Sequence, residues 1–282
     1  MNRRSFLKAM ATLPLMSAAF KASERMPVLF LGHGSPMNAI LENEFVQGFR
    51  HVAARIPRPK AILCVSAHWE TDGTWVTAMP QPRTIHDFGG FPKALFDVQY
   101  PAPGDPRLAT QTQELLEPTR VGLDHHWGLD HGAWSVIKHL YPKADIPVLQ
   151  LSLDRRLGAE GHYALGRQLA DLRDRGVLIV GSGNMVHNLG KVNWARLDEI
   201  YAEDWAMEAS DRMKSCILDG DHQTLLQYTK QGKAFEYAIP TPEHYLPLLY
   251  TLALQRPGEQ IQLFNDRPVA GALTMTSVQI GM

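Results

Sequence analysis

Four stretches of the chain, residues 27–31, 61–65, 147–151 and 177–180, are near-continuous runs of Val, Ile, Leu and Phe. Runs this short and this apolar predict strands covered on both faces, the pattern of a sheet interior rather than of a half-exposed hairpin. Residues 157–175 follow a different period. Tyr163, Leu165, Leu169 and Leu172 recur among Arg167, Asp171, Arg173 and Asp174, which predicts an amphipathic helix ended by Gly176. Residues 107–116, 133–140 and 201–218 predict further helices, and residues 273–280 a late strand. Strands alternating with helices imply an α/β fold, a single domain with a central sheet flanked by helices. No internal repeat and no low-complexity linker divides it.

Two segments break this rhythm. Residues 1–25 open with Asn2-Arg3-Arg4-Ser5-Phe6-Leu7-Lys8 after the initial Met1 and continue into an apolar, small-residue stretch with a small-residue site near Ser17-Ala18-Ala19. That order of charged, apolar and small residues is expected of an export signal, and the paired arginines resemble the twin-arginine type. The expectation is a protein delivered to the periplasm by twin-arginine export machinery, or left in the cytoplasm if the signal is not used. The apolar part is too short to span a bilayer, so no membrane anchor is expected in the mature form. The catalytic domain is then residues 26–282. In residues 80–105, Pro80-Gln81-Pro82, Gly89-Gly90-Phe91-Pro92 and Tyr100-Pro101-Ala102-Pro103-Gly104 interrupt both helix and strand, predicting a long loop over one end of the sheet. Long ordered loops usually carry function.

Composition mainly excludes. Against 29 acidic residues stand 28 Lys and Arg, a net charge of -1 that gives no bulk attraction to nucleic acid. Cys64 and Cys216 form no Cys-x-x-Cys motif and no disulfide framework. Twelve histidines are the positive signal, because imidazole serves both as metal ligand and as proton carrier near neutral pH. His33, His68 and His187 each follow a predicted strand. Ligands bind in the crevice outside the carboxyl ends of strands in α/β sheets, so these three are candidates for one shared metal site. Gly32 and Gly34 flank His33 and allow a sharp turn and close approach. His244 stands at the start of an apolar helical run. His86 and His131 are candidates to line a pocket and bond a polar substrate. His125 and His126, if in a strand, face opposite ways; His51, His139, His162 and His222 are expected on solvated helix faces. Converging imidazoles suit zinc, or iron(II) where coordination positions stay open.

Taken in order, Gly32-His33-Gly34-Ser35-Pro36, Ser66-Ala67-His68-Trp69, His86-Asp87-Phe88-Gly89-Gly90-Phe91-Pro92, Asp130-His131-Gly132-Ala133-Trp134, Gly183-Asn184-Met185-Val186-His187-Asn188 and Pro242-Glu243-His244-Tyr245-Leu246-Pro247 resemble the class III extradiol ring-opening dioxygenases. The resemblance is greatest to the DOPA 4,5-dioxygenase branch with its bacterial members. It implies a mixed sheet with one divalent metal ion at the carboxyl ends of the strands. It implies His33 and His68 as the first two metal ligands and His244 as the third. His187 matches a histidine that acts as acid/base or approaches the metal. Other members use a carboxylate as third ligand, so Glu243 is the alternative to His244. The implied chemistry is oxidative opening of a catechol such as DOPA with O2 incorporation. His187 and His131 would serve as catalytic residues, and His86, Phe88 and Phe91 would lie against the substrate. Fe(II) is the expected metal for that reaction. Zn(II) suits the same donors, which keeps a zinc hydrolase of ester or amide bonds as the rival reading, and a non-enzymatic metal-binding protein as a third.

Overall fold

The computed structural model describes residues 25–197 and 199–281. Its strands are β1 (Val28–Gly32), β2 (Ala61–Thr71), β3 (Thr74–Thr77), β4 (Val121–Asp124), β5 (Val148–Asp154), β6 (Val177–Gly183), β7 (Ile261–Phe264), β8 (Pro268–Val269), β9 (Leu273–Thr274) and β10 (Ser277–Ile280). The helices are α1 (Glu44–Arg55), α2 (Lys93–Phe96), α3 (Pro106–Leu115), α4 (His131–Leu140), α5 (Ala159–Gln168), α6 (Ala170–Asp174), α7 (Asp204–Asp219), α8 (His222–Leu226), α9 (Lys233–Ala238) and α10 (Leu246–Ala253).

The four apolar runs become the adjacent strands β5, β2, β6 and β1, all parallel, in an eight-stranded sheet ordered β4-β3-β5-β2-β6-β1-β10-β7. Antiparallel pairs β1 with β10, β10 with β7, and β3 with β5 make the sheet mixed. Alternate residues serve opposite faces. Leu29, Leu31, Ile62, Cys64, Leu178 and Val180 pack with Phe45 and Phe49 of α1 and Trp134 and Ile137 of α4. Val28, Phe30, Leu63, Val65, Val177 and Ile179 pack with Leu165 of α5, Met213 of α7 and Leu248 and Leu252 of α10. Each such side chain removed from water contributes about 1.5–3 kcal/mol, which is why the apolar runs sit in the middle of the sheet.

Several elements differ from the periodicity reading. The helix expected over 157–175 is two helices that meet at Leu169. The late strand of 273–280 splits into β9 and β10, which serve different sheets. His125 and His126 lie in an exposed turn after β4, not in a strand; the Asp124 side chain accepts the N–H of His126 and Trp127 and ends the extended backbone there. His139 and His162 are buried, not solvated. His139 bonds the Asn38 carbonyl at 2.8 Å and His162 bonds the Tyr250 hydroxyl at 3.1 Å, because the helix faces that carry them turn inward. The export-signal reading of residues 1–25 falls, but for Arg25, outside the described residues. Among the described residues no helix is long and apolar enough to cross a membrane.

Candidate metal centre

β6 lies between β1 and β2, and the carboxyl ends of these three strands form the floor of the site. His33 is the residue after β1, its N–H donating to Gly183 at the end of β6. His68 is not beyond β2 but inside it. The pairing of β2 with β5 jumps from Val65–Leu151 to Glu70–Leu153, so β2 carries extra residues in a bulge that contains His68. A bulge of this kind re-aims a side chain that regular pleating would send elsewhere. His244 comes from the turn before α10, and its carbonyl accepts the N–H of Asn184 beyond β6. Glycine is required where these segments meet. A Cβ at Gly183 would collide with the His244 carbonyl, and one at Gly32 would lie 2.5 Å from the Met275 carbonyl.

One ring nitrogen of each of His33, His68 and His244 lies within 4.8 Å of the others. The second nitrogen of each is accounted for. Ser182 Oγ donates to the Gly132 carbonyl at 2.5 Å, so towards His33 Nδ1, at 3.0 Å, it acts as acceptor. His33 Nδ1 therefore carries the proton and Nε2 keeps its lone pair. His68 Nδ1 faces Asp87 Oδ2 at 3.5 Å, and His244 Nδ1 donates to Glu243 Oε1 at 3.1 Å. This is the outer support that metal-binding imidazoles ordinarily have. His33 Nε2 and His68 Nε2 stand 3.3 Å apart. Two lone pairs facing at that distance repel unless a cation lies between them, and nitrogens bonded to one tetrahedral ion at about 2.0–2.1 Å are separated by about this much. Burial, reinforced by the neighbouring imidazoles, holds the pKa of His33 and His244 well below the usual histidine value and that of His68 at about 3. All three are therefore neutral donors at neutral pH, and the set fits a divalent metal.

His187 lies in the loop after β6, anchored by its N–H to the Ala238 carbonyl at 2.9 Å. Its ring stacks on His244 with centroids 3.5 Å apart and planes 5° from parallel. Burial lowers its pKa to about 4. His131 opens α4, with its ring 3.9 Å from that of His68. Phe88 packs edge-on against His131 and against Phe91. His86 stands behind Phe88, its Nε2 bonded to the Val98 carbonyl at 2.9 Å. The structure thus brings His33, His68, His131, His187 and His244 together with Phe88, while His86 braces the loop from behind.

Sequence reasoning passed over the polar residues beneath the histidines. Asp87 accepts from both the backbone N–H and Nδ1 of His131. Fully buried Asp130 accepts from Ser66 Oγ at 2.7 Å, Gln150 Nε2 at 2.6 Å and the Ala133 N–H at 3.0 Å, and burial pushes its pKa up. Ser66 Oγ in turn accepts the His68 N–H. The available signal was a polar residue inside an apolar strand, as Gln150 is, since such residues are buried only with a partner.

A family model described as the catalytic LigB subunit of aromatic ring-opening dioxygenase matches residues 26–262. A protein of Escherichia coli (strain K12) named 4,5-DOPA dioxygenase extradiol is 47% identical over 272 residues, covering 95% of this chain and 99% of its own length. A Beta vulgaris protein of the same name is 36% identical over 255 residues, covering 88% of this chain and 94% of its own. The crystal structure of a protein from Escherichia coli K12, described as uncharacterised, superposes with a TM-score of 0.79 at 42% identity, covering 91% of this chain and all of that one.

Proposed function

The chain belongs to the LigB family of aromatic ring-opening dioxygenases, and from that premise we propose that it opens the ring of a catechol of the DOPA type by extradiol cleavage. The observation that carries this reading is the convergence of three neutral imidazoles on one point beside two further histidines and an aromatic wall. His33, His68 and His244 would hold the metal, with Glu243, bonded to His244 Nδ1, supporting that imidazole. When bound, the metal would supply Lewis acidity and the redox coupling of catechol to O2, which makes Fe(II) the proposed ion, since zinc has no redox chemistry.

The chain's own residues do the rest. His187, neutral at pH 7, takes the proton of a catechol hydroxyl. Burial weakens it as a base, but the negative catecholate oxygen formed beside it restores basicity as the proton arrives. His131 hydrogen-bonds the reacting oxygens from its place beside His68. Phe88 and Phe91 cover the ring and exclude water. The signal-like residues 1–25 support export, which recovery of a shortened protein from the periplasmic fraction would test.

The function is tested by anaerobic reconstitution with Fe(II) or Zn(II), followed by DOPA and oxygen. A yellow ring-opened product with matching oxygen uptake is expected with iron only. Hydrolysis of esters or amides by the zinc form, with no oxygen uptake by the iron form, would overturn the reading.

A further inference from the structure

Asp87 receives two bonds from a single residue. Its Oδ1 accepts the His131 backbone N–H at 2.8 Å, and its Oδ2 accepts His131 Nδ1 at 2.9 Å. His68 Nδ1 is the third group on the same carboxylate, 3.5 Å from Oδ2. The N-cap of helix α4 is Asp130, whose side chain accepts the Ala133 N–H, so Asp87 adds only the His131 N–H to that end while its other oxygen is given to the His131 ring. The loop that carries Asp87 is tied down on both sides of it. Upstream the Ile85 carbonyl accepts Trp134 Nε1 at 2.8 Å, and downstream Phe88 packs on His131. His131 is 5% exposed and its ring touches that of His68, so its orientation decides which atom meets a bound substrate.

An imidazole whose Nδ1–H is given to a carboxylate has only Nε2, on the far edge of the ring, left to accept or deliver a proton. We propose that Asp87 is the positioning residue of the reaction: it locks His131 with Nδ1 on the carboxylate and Nε2 turned to the catechol oxygens, and so makes the loop of residues 80–105 part of the proton-handling apparatus. The inference rests on the ring-opening function for its kinetic consequence and on the hydrogen-bond geometry alone for the orientation of the ring.

The test is a double-mutant cycle on the Fe(II) enzyme with Asp87→Asn, His131→Ala and the pair. Outer partners of site histidines are typically worth 10–100-fold. Asp87→Asn should therefore lower kcat per bound iron by about that factor, with KM and melting temperature nearly unchanged. On the His131→Ala background it should cost nothing more, because the residue it acts through is gone. Equal losses of kcat per bound iron on both backgrounds would overturn the proposal, since Asp87 would then act through its contact with His68 and not through His131. The second readout needs no turnover. In the zinc-loaded protein, nitrogen NMR of the histidine rings should show His131 protonated at Nδ1, with that preference lost in Asp87→Asn; an unchanged ring in the variant also overturns it. If no catechol is opened by any form while the ring shows the expected preference, the functional reading fails and the positioning by Asp87 stands.

Discussion

Gly132 shows how little space the site leaves at a single residue. A Cβ there would lie 2.5 Å from Ser66 Oγ and 2.7 Å from His68 Cδ2, and neither neighbour is free to retreat, since Ser66 is bonded to Asp130 and His68 to Ser66. Gly132→Ala is expected to displace His68 and weaken metal binding by about 10–100-fold. The overpacking should also cost about 1–3 kcal/mol of stability. Titration against a competing chelator, with thermal melts alongside, measures both. At His187 the opposite outcome is expected. Its ring stacks on His244 and is not one of the three that converge as His33, His68 and His244, so His187→Ala should keep its metal and lose about 10²–10⁴-fold in kcat as a proton acceptor is removed. Metal lost in the same proportion as activity would make His187 a ligand instead.

At the scale of elements, α5 and α10 cross so closely that a Cβ at Gly166 would lie 2.9 Å from the Ala253 Cβ. His162 is held in that contact against Tyr250, where burial lowers its pKa from 6.5 to about 4. Between those two values the unfolded chain binds a proton that the native chain does not. Stability therefore falls as pH drops from about 6.5 to about 4 and is unaffected by this group above that window. The contribution is on the order of 3 kcal/mol. His162→Gln, able to keep a bond to Tyr250, should flatten the acid limb of urea melts taken between pH 7 and pH 4; an unchanged slope would assign that limb to other groups. His162 also marks where pattern reading failed. Charged neighbours such as Glu160 and Arg167 suggest a wet face, but nothing local reveals that α10 covers the face between them. The sheet was legible because residues 27–31, 61–65, 147–151 and 177–180 each state their own burial. His33 was legible because a strand end is visible in one stretch of sequence; His68 was singled out on the same ground, yet it lies in a bulge within β2 that no local pattern announces. Asp87, Ser182 and Gln150 were not, since each takes its meaning from a partner brought near only by folding, 44 residues away in the case of Asp87 and His131.

For the whole molecule, the metal is a tie between segments. His33, His68 and His244 come from β1, the bulge of β2 and the turn before α10, and the unfolded chain holds no such arrangement. A metal present at a thousand times its dissociation constant stabilises the native state by about 4 kcal/mol. Its removal by chelation should lower the melting temperature by on the order of 10 °C, and restored metal should recover it. A melting temperature indifferent to chelator would mean that the imidazoles hold no ion in the native state. The pairing of β1 with β10 adds a consequence for synthesis. Val28 to Phe30 align with Ile280 to Val278, and the Gly32 N–H donates to Ser277 Oγ one residue before His33. Among the described residues, the first strand is thus paired with the last. A nascent chain that already carries all five site histidines has β6 beside β1 but still lacks β10 on its other side, so the strand that leads into His33 gains its second neighbour only after every site histidine has been made.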